Sequence, residues 1–490
     1  MDRTTLAKKS LAELRAIAEA LSLEGFQRMK KADLVALIVD AGDVAAGQPV
    51  DNGGASPKRQ SPEADIQHEL NSDDDAGSQS AERQDVPARS EGRQRQRTTE
   101  SVPSRGDSNQ RDSRRTDTQD DSDDVEVREG ILDLLPEGYG FLRVTGYLAG
   151  ARDVYVSQSV VRRLDLRPGD RVKGPIRRNK NTDKFPALAR VDQVEDFILD
   201  QQELPPRRPN FGELTVVAPA ERFTFDAQSD TPESLVLIDT FAPLARGQRG
   251  LITGAPGTGK TTVLHEIAAT IAAQHPDTIV MMLLLDERPE ALTVAPEMSV
   301  GSTCEQSPED HTQIAELALE RAKRLVERGH DVVVLLDSIT RLTRAYQATA
   351  PLNTRNVGGL DLQALAATKR FFAAARSFAE GGSLTLLATA SDDSVLDSDR
   401  LLIDELRVVA TVHLHLDRDA AARQAFPAVD PIRSQASHSA VLRDESDSQR
   451  VDQAKRELHR LDRVDAIDQM HQAFRETTSV SAALTQLAGR

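Results

Sequence analysis

The stretch GLITGAPGTGKTTVL at residues 250–264 constrains this chain more than any other. Within it, Gly254 to Thr261 fit the pattern G-x-x-x-x-G-K-[ST], with an apolar run before and a helix-like run after. Such a turn presents successive backbone N–H groups to phosphate oxygens at a helix N-terminus. Lys260 then reaches the terminal phosphates of a bound triphosphate, and the Thr261 hydroxyl ligates Mg²⁺. The same motif dictates architecture, because a P-loop needs a strand, a tight turn and a helix in sequence. The runs RGLITG, TIVMMLLLD, DVVVLLD and SLTLLATA are nearly unbroken apolar segments, as parallel strands covered on both faces must be. Helical patterns such as DHTQIAELALERAKRLVERG lie between them. Residues 201–490 are therefore expected to form an α/β domain around a parallel sheet.

Two more strands end in acid. LLLDERPE places Asp286 and Glu287 at one strand end, and VVVLLDS places Asp337 at another. Ligands of open parallel sheets bind beyond the carboxyl ends of the strands, so these carboxylates belong beside the P-loop. Asp337, following a buried run directly, suits a grip on Mg²⁺. Glu287 suits the polarisation of an attacking water, with Asp286 as the alternative base. A carboxylate that merely terminates a buried strand is the plain alternative for either.

Upstream, the chain changes character twice. Residues 1–41 carry Leu11, Leu14, Ile17, Ala18 and Leu21 at helical spacing, and KKADLVALIVD repeats the pattern, so a small helical unit is expected. It reads equally as a nucleic-acid-binding helix pair or a capping unit. Residues 42–124 are rich in Ser, Asp, Arg, Gln, Gly and Pro with no aromatic, a composition that cannot offset its ordering entropy and reads as a disordered linker. From 125 to 200, short alternating segments with glycine turns predict a β-barrel of OB-fold or cold-shock size. Aromatic residues make up only 3% of the 490-residue chain, yet Tyr139, Phe141, Tyr155 and Phe185 fall together here, interleaved with Arg143, Arg177, Arg178, Lys180 and Lys184. Single-stranded nucleic acid is held by stacking on exposed rings while cations follow its phosphates. Rings can instead fill a barrel. GYGF favours the platform, because Tyr139 and Phe141 share one strand face beside glycines that let a base approach.

Composition sets the remaining bounds. A net charge of -17 argues mildly against nucleic acid but hides any local basic face. The single cysteine, Cys304, excludes an internal disulfide and reads as a packing residue. Nothing reads as a signal peptide and no apolar stretch approaches bilayer-spanning length, so a cytoplasmic protein without a membrane partner is expected.

The segments GYGFLR, DVYVS, PLARGQRGLITGAPGTGKT, LLLDERPEALT, GGLDLQAL, EGGSLTLLATA and FPAVD, in that order, resemble the bacterial transcription termination factor Rho family. The match runs from about residue 125 to the C-terminus and more weakly over 1–41. The resemblance implies an RNA-binding barrel and a RecA-like ATPase domain assembled as a homo-hexamer. Such a ring loads on nascent single-stranded RNA and hydrolyses ATP with Mg²⁺ to translocate toward RNA polymerase and release the transcript. It assigns RNA binding to Gly138, Tyr139, Gly140, Phe141, Leu142 and Arg143, to Asp153, Val154 and Tyr155, and to Asp183, Lys184 and Phe185. A central loop, Val357, Gly358, Gly359, Leu360 and Asp361 through Gln363, with Arg355 nearby, is implied to grip RNA in the pore. ATP binding falls to Ala245, Arg246, Gly247, Gln248, Arg249 and Gly250, to Gly257, Thr258, Gly259, Lys260, Thr261 and Thr262, and to Arg288. Phe426 corresponds to the ring that stacks on adenine, and Arg341 to a residue that senses nucleotide state beside the catalytic Lys260, Glu287 and Asp337.

Three departures from the family pattern stand out. Gly257 occupies the place of the family's second P-loop lysine. The segment after LATA reads SDDSVLDSDRLLIDELRVVATV, with acid where the family has cations that meet RNA. Ser437 falls where the family carries an arginine reaching into the neighbouring subunit's ATP, and Arg433 is the nearest cation. A second function is therefore carried beside the motor: a paralogue that binds RNA but turns over ATP poorly and acts as a regulator. A rotary-ATPase-like subunit without RNA is opposed by the aromatic barrel.

Overall fold

The structure, a computed structural model, describes residues 126–177, 185–199, 204–225, 231–293, 299–351, 356–392, 396–437 and 439–489. The expected helical unit at 1–41 and the linker at 42–124 lie outside the described residues.

The first described domain is a small barrel. Its strands are β1 (Val127–Leu134), β2 (Gly140–Arg143), β3 (Val154–Val156), β4 (Arg171–Arg177), β5 (Ala187–Leu188), β6 (Gln193–Val194) and β7 (Phe197–Ile198), with helix α1 (Gln158–Arg163) after β3. The sheet runs β1-β2-β3-β5-β4-β6-β7, and an additional β1–β4 pairing closes it. Closure removes exposed edges, as in OB-type barrels. Alternation fills the interior with Leu132, Leu142, Val154, Val156, Val172 and Val194.

The second domain adds β8 (Val216–Val217), β9 (Arg249–Gly254), β10 (Thr278–Glu287), β11 (Ser299–Thr303) and β12 (Asp331–Asp337). A short hairpin, β13 (Asn356–Val357) and β14 (Leu360–Asp361), precedes β15 (Arg376–Phe378), β16 (Ser383–Ser391), β17 (Val412–Leu416) and β18 (Gln435–Ala436). Its helices are α2 (Glu233–Phe241), α3 (Lys260–Gln274), α4 (Pro289–Thr293), α5 (Pro308–Val326), α6 (Ile339–Thr349), α7 (Leu362–Phe372) and α8 (Asp397–Arg407). The C-terminal part contributes α9 (Arg418–Ala422), α10 (Ser439–Leu442), α11 (Glu445–Leu458), α12 (Arg463–Glu476) and α13 (Val480–Ala488). The sheet order is β11-β10-β12-β16-β9-β17-β18, parallel from β11 to β17.

The unbroken apolar runs are explained by two cores. Along β10, Met282 and Leu284 enter one core while Met281, Leu283 and Leu285 enter the other. Val333 and Leu335 of β12 part from Val332, Val334 and Leu336 in the same way. The first core is covered by α2, α3 and the C-terminal helices, through Val263, Ile267, Met470 and Leu484; the second by α5 to α8, through Ile314, Leu342, Phe371 and Leu402. A Leu→Ala change in either would cost about 2–5 kcal/mol. Cys304 departs from expectation: it is exposed, because it follows the last residue of edge strand β11.

Helix α5 joins the two domains. Its Asp310 and Ser307 form a reciprocal N-terminal cap. Arg321 donates to the Gly169 carbonyl at 3.2 Å and pairs with Glu195 of the barrel. A methyl group at Gly169 would lie 2.6 Å from the Arg321 backbone nitrogen, so the barrel turn rests directly on the helix. Beyond the helix, Glu327 accepts from Arg167 at 3.0 Å and from the Phe211 amide at 2.8 Å. Among the described residues no helix is long and apolar enough to cross a membrane.

Candidate nucleotide and RNA sites

The P-loop turns at the carboxyl end of β9 and opens α3. Gly257 and Gly259 take φ of +81° and +91°, which only glycine adopts without strain. At Gly257 a methyl group would meet nothing within 4 Å, so it is the backbone conformation and not the space around it that favours glycine there. Lys260 folds back on the loop, donating to the Gly254 and Ala255 carbonyls at 2.7 Å each. Burial lowers its pKa, while the Asp337 and Asp392 charges oppose that shift.

A cavity of about 1160 Å³ opens above this loop, lined by Gly257 to Val263 together with Glu287, Asp337, Arg341, Arg344 and Phe426. Thr261 donates its hydroxyl to Asp337 at 2.6 Å, and Thr389 on neighbouring β16 donates to the other Asp337 oxygen at 2.6 Å. A hydroxyl and a carboxylate oxygen side by side are hard donors suited to a small divalent cation. Glu287 pairs with Arg341 across the cavity. Arg341 also donates to the Leu285 carbonyl at 3.2 Å. Asp286, the alternative base, takes φ of +55° at a bulge where the β10–β11 register shifts, and it does not line the cavity. Phe426 stands 40% exposed at the rim, where a planar ring can stack on a base.

Some expected nucleotide residues lie elsewhere. Ala245 to Gly250 enter β9 at its amino end, opposite the cavity, and none lines it. Gln248 accepts from the Ala245 amide at 2.7 Å, and Arg249 donates to the Val409 and Ala375 carbonyls at 2.7 and 2.8 Å. A methyl group at Gly247 would lie 2.5 Å from the Ser377 amide nitrogen. The segment holds strand ends together. Arg288 is exposed and outside the cavity lining. Conversely, Glu233, Glu266, Arg344 and Thr389 join the site without having been singled out. Arg344 lies three residues beyond Arg341 on α6, a spacing that could have signalled it. Glu233 and Thr389 reach the site only through the fold.

On the barrel, the four rings form one outward cluster. Phe141 meets Phe185 at 5.2 Å and Tyr155 at 5.9 Å between centroids, and Tyr139 meets Tyr155 at 5.6 Å. All four are half-buried, while their strand neighbours Leu142 and Val154 are fully buried in the barrel core. Leu142 and Val154 thus support the platform from beneath. Arg143 and Asp153 are buried and paired at 2.6 Å, so Arg143 is not free to meet a phosphate. Gly140 has a reason other than base access, since a methyl group would lie 2.4 Å from the Asp133 carbonyl oxygen. Gly138 takes φ of +88° in the turn. Phe185 is the first described residue after a gap; Arg178, Lys180, Asp183 and Lys184 lie outside the described residues, as does Arg355. Val357, Gly358 and Gly359 form an exposed hairpin tip, with Gln363 exposed on α7. Leu360 is buried, and the Asp361 carboxylate caps α7 by accepting from the Gln363 and Ala364 amides at 2.7 and 3.0 Å.

Beside the P-loop, β9, β17 and the segment after β16 bring together charged groups. Thr253 lies 3.0 Å from both His413 and His415, and His415 pairs with Asp392 at 3.1 Å. Arg433 meets the other His415 nitrogen at 2.6 Å. Burial alone would raise the Asp392 carboxyl, but the His415 hydrogen bond and the His415 and Arg433 charges hold it below its ordinary value. Burial and the Arg407 charge push His413 down to about 4. The unfolded ring takes its proton near pH 6.5, so this contribution to stability is full above that pH and is lost as pH falls toward 4. Acidifying from about pH 7 to about pH 5 should cost roughly 2 kcal/mol through this group. His413→Gln should flatten that part of the thermal-melt profile, and an unchanged acid slope would exclude His413 as the cause.

Three family models match the chain. Residues 5–42 match the Rho termination factor N-terminal domain, 128–198 the Rho termination factor RNA-binding domain, and 234–436 the nucleotide-binding domain of the ATP synthase alpha/beta family. The chain is 40% identical over 359 residues to transcription termination factor Rho of Pseudomonas aeruginosa, covering 71% of this chain and 85% of that protein. It is 39% identical over 349 residues to the protein of the same name from Escherichia coli, covering 69% and 83%. Against transcription termination factor Rho of Streptomyces lividans it is 42% identical over 367 residues, which is 73% of this chain but about half, 51%, of that relative's length.

Proposed function

The chain belongs to the transcription termination factor Rho family, and from that premise we propose that it is an RNA-dependent ATPase that drives transcript release. The observation that carries this reading is one chain bearing both the P-loop cavity with its Lys260, Thr261–Asp337 and Glu287–Arg341 groups and the outward ring cluster of the barrel. ATP enters the cavity with its base against Phe426. Lys260 exchanges its two loop carbonyls for the terminal phosphates, while backbone N–H groups of the P-loop hold the remaining phosphate oxygens. Thr261 and Asp337 would hold Mg²⁺, which supplies charge neutralisation on the phosphates when bound. Glu287 orients and deprotonates the attacking water, and Arg341 holds that carboxylate in place. Nascent single-stranded RNA stacks on Tyr139, Phe141, Tyr155 and Phe185, and the exposed Val357–Gly359 tip contacts it in the ring. The working assembly is a cytoplasmic homo-hexamer acting on the transcription complex.

The test is hydrolysis of ATP by the purified full chain with and without a single-stranded oligoribonucleotide. Stimulation by RNA supports the motor, and RNA binding with slow, unstimulated turnover supports the regulator. The second reading draws on specific features: Ser437 stands where a trans-acting arginine is expected, and Arg433 is engaged by His415. For the platform, Tyr139→Ala with Phe141→Ala should weaken RNA binding by about 1–3 kcal/mol per base lost while leaving nucleotide affinity near the parent value. Unchanged RNA affinity in a filter-binding titration would show that the rings only brace the barrel.

A further inference from the structure

Helix α5 contacts the residues behind both proposed sites through single side chains. Under the ring cluster, the Arg143 guanidinium lies 5.7 Å from the Phe141 ring centroid and donates to Asp133 Oδ2 at 3.0 Å. That same oxygen accepts from Gln313 Nε2 of α5 at 2.9 Å. Two residues back, the buried His311 ring meets Ser302 Oγ on β11 at 2.7 Å. Ser302 Oγ in turn accepts from the Asp286 amide at 3.3 Å. Asp286 holds a left-handed backbone immediately before Glu287, a conformation that is unfavourable for a non-glycine residue and persists only when its surroundings fix it. Side-chain hydrogen bonds therefore tie α5 at Gln313 to the Asp133–Arg143 pair under the rings and at His311 to Ser302 and the Asp286 amide, with two residue steps of helix backbone between the two ties.

We propose that α5 couples occupancy of the barrel's ring platform to the aim of Glu287, with Gln313, His311 and Ser302 as positioning residues. A base stacked on the outer side of Phe141 bears on the ring that rests against Arg143, and Arg143 shares its Asp133 oxygen with Gln313. Any shift of that shared acceptor acts on the amino-terminal half of α5. The buried ion pairs at Arg321 and Glu327 pin the other half to the barrel, so the helix moves with the barrel rather than sliding past it. At the helix start, His311 and Ser302 transmit the change to the Asp286 bulge. The inference rests on the reading of the barrel as an RNA platform.

Gln313→Leu removes the donor while keeping the size of the side chain, and Ser302→Ala removes the acceptor at the far end of the chain. In the full-length protein both should leave RNA affinity and basal hydrolysis within about twofold of the parent and reduce RNA stimulation by roughly fivefold. Hydrogen exchange at the backbone amides of 284–287, followed without nucleotide, should respond to an added single-stranded oligoribonucleotide in the parent and cease to respond in both variants. A purely structural role for α5 would lower the melting temperature without touching that response. Stimulation and exchange response preserved in both variants overturn the coupling. A parent that binds no RNA overturns the platform reading itself, and the coupling with it.

Discussion

Glu287→Gln is expected to reduce ATP turnover by about 100- to 10,000-fold while leaving ATP affinity and its Mg²⁺ dependence near the parent values. Glutamine keeps the shape of the side chain and can still face Arg341, but it cannot take a proton from water. The groups proposed to hold the nucleotide are separate side chains: the P-loop, Thr261 with Asp337 at 2.6 Å, and Phe426 at the rim. Lys260→Ala should produce the opposite pattern, with hydrolysis abolished and phosphate binding weakened, since no other side chain of the loop carries its charge. The pair of variants separates a lost base from a lost ligand. Single-turnover hydrolysis alongside binding of a fluorescent ATP analogue provides the measurement. Parent-like turnover by Glu287→Gln would move the base elsewhere, and Asp286 is poorly placed to inherit the role because it does not line the cavity.

What could be read in advance followed from short-range physics. The P-loop was legible because phosphate contact demands glycines, a lysine and a hydroxyl at fixed spacing. The strands were legible because a sheet covered on both faces needs apolar residues throughout, as the division of Met281–Leu285 between two cores illustrates. The outward ring cluster was legible because strand alternation puts Phe141 outside and Leu142 inside. Motif membership misled where neighbours within one motif face different surroundings. Leu142, Val154 and Asp153 share segments with half-buried outward rings yet are buried, and Asp361 belongs to a loop tip yet caps α7. Gly140 looked like room for a base but is room for a strand, which only the approach of the Asp133 carbonyl reveals. Thr389, Glu233 and Gln313 carried no local signal. Each acts through a partner 52, 238 or 180 residues away in sequence, so nothing at short range marks them.

Introducing arginine at Ser437 should raise RNA-stimulated turnover by tenfold or more, on the order of part of the 10³–10⁵ that a trans-acting arginine contributes to phosphoryl transfer. Arg433→Ala should change it by less than about twofold, within the small effects usual for a side chain outside the transition state. The local structure separates the two positions. Asp430 accepts from the Ile432 and Arg433 amides at 2.9 and 3.0 Å, so the chain leaves FPAVD through a side-chain-capped turn rather than a helix. That turn sends the Arg433 guanidinium back onto its own subunit, where it meets His415 at 2.6 Å, close to the Asp392 charge. To serve a neighbour's γ-phosphate it must reach about 3 Å from it, abandoning His415 and its share in holding Asp392 ionised. Among the described residues Ser437 has no such side-chain tie. Its amide is fixed by the Thr411 carbonyl at 2.7 Å just past β18, and the residue is exposed. An arginine there starts from a fixed backbone and loses only rotamer freedom in reaching outward. Steady-state hydrolysis with saturating RNA, compared across parent, Ser437→Arg, Arg433→Ala and the double variant, decides the matter. A fast parent that collapses on Arg433→Ala would mean that the His415 contact is released in the assembled ring and that Arg433 itself is the reaching cation.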